Sequence, residues 1–264
     1  RRIMSLTNKT LANTYKDILQ MDNSNSGVDT TTRSIKDGEG TISALSLSDD
    51  VVSIKPQNDN TTASFLVEDA SGTDLLVVDS TNSKVSALGN YVNTQYAYFN
   101  VGATESQLFL ANTHYSLCYQ HANYGIVTYP PAFGTGTDPA TTFTTSDGNG
   151  TRASDIVPCM WYVPDAISID AVYGIVGADN ATGDQVQSHL FSYDYSDGVT
   201  NCLTNGTLLA HRGTLSAGSE QPYLASWTVD SASVTSGKVI LAFIMSDSVN
   251  SDYSSQIKVK YHLT

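Results

Sequence analysis

KVILAFIMS, residues 238–246, is apolar without a break from Val239 to Met245. A run this short reads as a β-strand covered on both faces, because a strand with one wet face alternates. The last segment, QIKVKYHL (256–263), does alternate: Ile257, Val259, Tyr261 and Leu263 against Lys258, Lys260 and His262. It is expected to have one face on a core and one in water. Upstream, AISIDAVYGIVGA (166–178) sets Ile167, Ile169, Ala171, Tyr173 and Ile175 against Ser168, Asp170 and Gly174. HLFSYDY (189–195), TLLAHRG (207–213) and YLASWTVD (223–230) follow, each ended by Gly, Asn or Asp. Tyr173, Tyr261, Trp227 and Val229 read as inward. Six to eight strands about 8–20 residues apart, without a convincing helix, predict an antiparallel sandwich of jelly-roll type over 91–264.

The N-terminal third is thinner. SFLVEDASGTDLLVVDSTNSKVSAL (64–88) holds three short strands with turn signals at Ala70-Ser71-Gly72 and Asp79-Ser80-Thr81-Asn82. Phe65, Val67, Leu75 and Val77 are placed on one side; Leu66, Leu76 and Val78 on the other are apolar too. Neither face is written for water, and so small a sheet needs a partner surface. Identical copies around a three-fold axis supply one, with Phe65, Val67, Leu75, Val77 and Val85 as the trimer-core candidates. Residues 1–62 are polar and turn-rich. TYKDILQMD (14–22) admits helix or strand, with strand preferred, and TISALSLSDDVVSIKP (41–56) reads as short extended pieces. The expected division is an attachment region (1–62), a trimerising hairpin stem (63–90) and a sandwich head (91–264). The whole is all-β and homotrimeric.

The 264 residues carry a formal net charge of -13, with 13 Lys+Arg and none of them between Lys84 and Arg152. That excludes the basic footprint a nucleic acid requires. No apolar run reaches the roughly 18 residues of a spanning helix, so membrane insertion is not expected. Cys118, Cys159 and Cys202 show no CxxC spacing and read as buried thiols.

Chemistry-bearing patterns are thin. His114, His121, His189, His211 and His262 lie in unrelated segments, and no GxSxG elbow occurs. The many Asp residues read as turn caps. No catalytic, cofactor or metal residues are assigned, and a non-enzymatic protein without cofactors is expected. The 15 tyrosines are the informative excess, since Tyr suits sugar stacking and subunit seams. Tyr124, Tyr193 and Tyr195 are the ligand-contact candidates. The loop FGTGTDPATTFTTSDGNGT (133–151) is long enough to be functional or mobile.

TYKDILQMDNSNSGVDTTTRSIKDGEGTISALSLS (14–48) resembles the N-terminal region of fibre-like virion proteins of tailed bacteriophages, marine ones especially. FLVEDASGTDLLVVDSTNSKV (65–85) is similar to a hairpin unit common in phage tail and head fibres. The resemblance covers about residues 10–90. It implies a homotrimer on the virion surface, anchored to tail or capsid proteins through its N-terminal region. The distal head would contact a host surface glycan or protein. Two other readings stand beside host attachment: a glycan-degrading tail tip, and a purely structural capsid-decorating head fibre.

Overall fold

A computed structural model describes residues 16, 18–24, 26–103, 110–120, 131–146, 151–178, 185–216, 221–247 and 253–264. The chain is all-β, and among the described residues every strand pairing is antiparallel. It divides into two compact units, Arg1–Val92 and Asn93–Thr264.

The first unit holds two four-stranded meanders. One runs β1 (Gln20–Met21), β2 (Arg33–Lys36), β3 (Ile42–Leu47), β4 (Val52–Ile54); the other runs β5 (Phe65–Glu68), β6 (Asp74–Asp79), β7 (Lys84–Ala87), β8 (Asn90–Tyr91). Strand starts at 33, 42 and 52 recur 32 residues later at 65, 74 and 84, so three strands of each sheet repeat one spacing, while β1 and β8 have no counterpart in the other sheet. The hairpin turn repeats as well. In Asp37-Gly38-Glu39-Gly40-Thr41 and Asp69-Ala70-Ser71-Gly72-Thr73 the Asp carboxylate accepts the backbone N–H groups of the third and fifth residues. The fourth position needs φ of +90° and +86°, which glycine supplies without strain. The Ser71 hydroxyl, which also donates to this carboxylate, and then the Thr73 and Ser71 backbone N–H groups stabilise the charged form and hold Asp69 down at about 2.

Register decides which side chains share a face. Leu45 opposes Ile54, and Leu47 opposes Val52, so the first sheet has an apolar face backed by Ser34, Ser46 and Ser53. In the second sheet Phe65 opposes Val78, which opposes Val85, while Leu66 opposes Val77, which opposes Ser86. This corrects the sequence expectation: Phe65, Val67 and Val85 lie together with Leu76 and Val78, whereas Val77 is on the opposite face with Leu66. Leu75 is the extra residue of a bulge. Alternation fixes the sides within one strand, but turn length and bulges fix the phase between strands.

In the second unit two sheets pack face to face. One follows the order β11 (Cys118–Tyr119), β9 (Thr94–Ala103), β20 (Tyr253–Leu263), β13 (Ile167–Ala178), β16 (Gln221–Ser226), with β18 (Ser233–Val234) also on β13. The other follows β10 (Tyr115–Ser116), β19 (Lys238–Ser246), β14 (Gln185–Tyr195), β15 (Leu203–Ser216), β17 (Thr228–Val229), with β12 (Trp161–Val163) also on β19. Phe99, Ile257, Val259 and Val172 from the first meet Leu190, Leu209, Ile240 and Ile244 from the second in one core.

The run 238–246 is β19, buried along its length. Ile240, Ala242 and Ile244 face the sandwich core, and Val239, Leu241 and Phe243 face a second cluster. That cluster is roofed by Phe133 and Phe143, stacked at 4.7 Å, and by Ile156 and Cys159 of the short helix α1 (Ala153–Ile156) and the turn after it. The described part of the loop at 133–151 is therefore a packed cover, anchored by two buried rings.

Candidate functional site

A bulge re-aims one row of side chains. In β13 Ile169 pairs with Tyr261 and Ala171 with Lys260, which leaves Asp170 as an extra residue. Downstream of it the inward positions become Val172 and Val176, while Tyr173 and Ile175 turn to the outer face. The sequence reading had both pointing inward; one inserted residue reverses the parity of all that follow. Asp170 itself is held 2.9 Å from Nδ1 of His262, which is itself buried.

Pairing then assembles a surface across four strands. Tyr98 of β9 opposes Lys258 of β20, which opposes Tyr173 of β13. Gln256 opposes Ile175, which opposes Leu224 of β16. With Tyr96 these residues line a groove of about 450 Å³ on the outer face of the sheet. Tyr96, Tyr98, Tyr173 and Ile175 are 45%, 37%, 49% and 47% exposed, and Leu224 is 79% exposed. The Lys258 ammonium lies 5.1 Å and 5.3 Å from the ring centroids of Tyr96 and Tyr98, within cation–π range. Among the described residues no carboxylate lines the groove.

The ligand-contact candidates fall elsewhere. Tyr193 is fully buried in the second cluster, its hydroxyl donating to the Ala140 carbonyl at 2.9 Å, so it cannot touch a ligand. Burial pushes its phenol far up. Tyr195, two residues on, is exposed, with its hydroxyl toward Asp197 and its ring edge-on to Tyr162. Tyr124 lies outside the described residues. All five trimer-core candidates are at least partly exposed, Phe65, Val67, Leu75 and Val85 at close to 40%. Sequence reasoning missed Tyr96, Tyr98, Ile175 and Leu224 as a set. The available signal was that YGIV is apolar in both parities and follows an aspartate inside a strand.

Titratable groups are mostly tied to structural partners. Asp194 bonds Lys238 and Asn205, and His211 bonds Asp230. His114 meets His189 edge-on at 5.0 Å, both buried. Cys118 and Cys159 share a side-chain hydrogen bond, which lowers the first thiol and, with burial, raises the second. Among the described residues no group of three or more His, Cys, Asp or Glu is placed to hold a metal, and no helix is long and apolar enough to cross a membrane.

No protein-family model and no curated protein matches the chain. Among solved structures, one titled "Structure of Eiger TNF from S. frugiperda" is 13% identical, covering 65% of this chain and 94% of that chain at a TM-score of 0.25. A likeness at that level carries no argument about this chain.

Proposed function

We propose that this chain is a structural subunit of a homotrimeric fibre on a tailed-phage virion. Its N-terminal unit is the stem, anchored to tail or capsid proteins. Its C-terminal unit is a jelly-roll-type head turned to a host surface glycan or protein. The observation that carries this reading is the state of the two repeated sheets. Val52 is 69% exposed on the first, and on the second Phe65, Leu66, Val67 and Val85 are exposed on both faces. Repeated modules that leave apolar faces in water are stabilised when neighbours cover them. The resemblance of 65–85 to phage fibre hairpins supports the same conclusion.

Light scattering on the purified protein at several concentrations tests it. A mass three times the 28.2 kDa of one chain is expected. A monomer at every concentration would remove the physical basis for a fibre.

A further inference from the structure

We propose that the tyrosine-lined groove of the C-terminal unit is a seam between copies of this chain, the outer face of β9–β20–β13–β16 packing on a neighbouring copy. This deepens the trimeric reading and rests on it.

Chemistry selects the occupant. A sugar subsite combines an aromatic face with converging hydrogen-bonding groups. Here the polar groups are Gln256, Lys258 and the tyrosine hydroxyls, the Lys258 ammonium already lies over the Tyr96 and Tyr98 ring faces that a sugar would stack on, and Ile175 and the more exposed Leu224 line the same groove with no side-chain hydrogen bond to offer. Aromatic and aliphatic side chains with few charges compose the centre of a protein interface. Three tyrosines at these exposures leave roughly 250 Å² of ring surface in water, taking about 200 Å² for each. With Ile175 and Leu224 the patch reaches the few hundred Å² that mark an interaction site.

Charge selects a second copy. Each chain carries -13, so copies repel one another wherever carboxylates face carboxylates. Among the described lining residues the groove has none, and it presents Lys258. Asp170, the one acid of β13, is paired with His262. An apolar groove that carries a cation is thus turned toward a chain of net charge -13.

Hydroxyl-radical footprinting of the full-length protein, run beside its solution mass, tests the seam. Tyr162, 54% exposed on β12 of the other sheet, is the internal reference. Expected is a three-fold mass with Tyr96, Tyr98 and Tyr173 modified several-fold more slowly than Tyr162. L224D and I175D should restore groove reactivity and lower the mass, with the far-ultraviolet spectrum unchanged. A three-fold mass with groove residues as reactive as Tyr162 overturns the seam and leaves the trimer standing. A one-fold mass overturns both. Groove reactivity that is full in the protein alone and falls on adding maltoheptaose makes the groove a sugar site and overturns the seam.

Discussion

Gly206 shows how narrowly a single position can be specified. A Cβ there would sit 2.7 Å from the Tyr193 ring and 2.8 Å from Thr141 Cα, because the covering loop bonds directly to β15 through the Gly206 N–H and Thr141 carbonyl. Gly206→Ala should cost about 1–3 kcal/mol and lower the melting temperature, as overpacking does. Tyr193→Phe should cost about 1 kcal/mol through the stranded Ala140 carbonyl and leave any host binding unchanged, which a binding assay on the variant checks. His189 predicts a pH dependence. Burial, then the neighbouring His114 and His211, push it down to about 4 from an ordinary 6.5. Asp230 pulls the other way. The unfolded chain takes up this proton at higher pH than the folded one. The stabilising effect is thus complete above pH 6.5 and is lost as pH falls toward 4, about 3 kcal/mol in all. Urea midpoints measured across that window should drop, and His189→Gln should flatten the slope. Asp29 and Asp69, both held down at about 2, titrate below it.

At the scale of elements, the strands were largely readable and their phases were not. Three strands in 64–88 are present as β5, β6 and β7, and 238–246 is β19 from end to end. TYKDILQMD contains the two-residue strand β1, with part of the stretch outside the described residues. The errors came from bulges: one at Leu75 separates it and Val77 from Phe65 and Val67, and one at Asp170 turns Tyr173 outward. Composition does not announce a bulge, since it depends on how two strands pair. The register carries its own prediction. Val85→Asp places a charge beside Phe65 and Val78 on the same face, and Val52→Asp does so beside Leu47. Each should reduce the light-scattering mass if that face is covered by another copy, while leaving the β19 core folded.

For the molecule as a whole, charge and burial oppose each other. Three chains would gather three times -13, so assembly should tighten as salt rises from roughly 0.01 to 0.15 M and the screening length falls from about 30 to 8 Å. Sedimentation across that range would show it, and weakening with salt would point instead to ion pairs holding the copies. The same numbers explain what was legible. Periodicity, an unbroken apolar run and turn residues determined an all-β chain, the two-sided burial of 238–246 and a small N-terminal sheet lacking a cover, because these follow from local sterics and from which side chains avoid water. The 32-residue repeat was hidden, since across its matched strands the shared marks reduce to an Asp, a Gly and a Thr in one turn and a Ser after the second strand. Tertiary structure alone decided that Tyr193 is core, that the loop after Phe133 is a roof, and that Tyr96, Tyr98, Tyr173, Ile175 and Leu224 form one surface. Those outcomes depend on pairing register and on contacts between residues far apart in the chain, which a one-dimensional pattern does not encode.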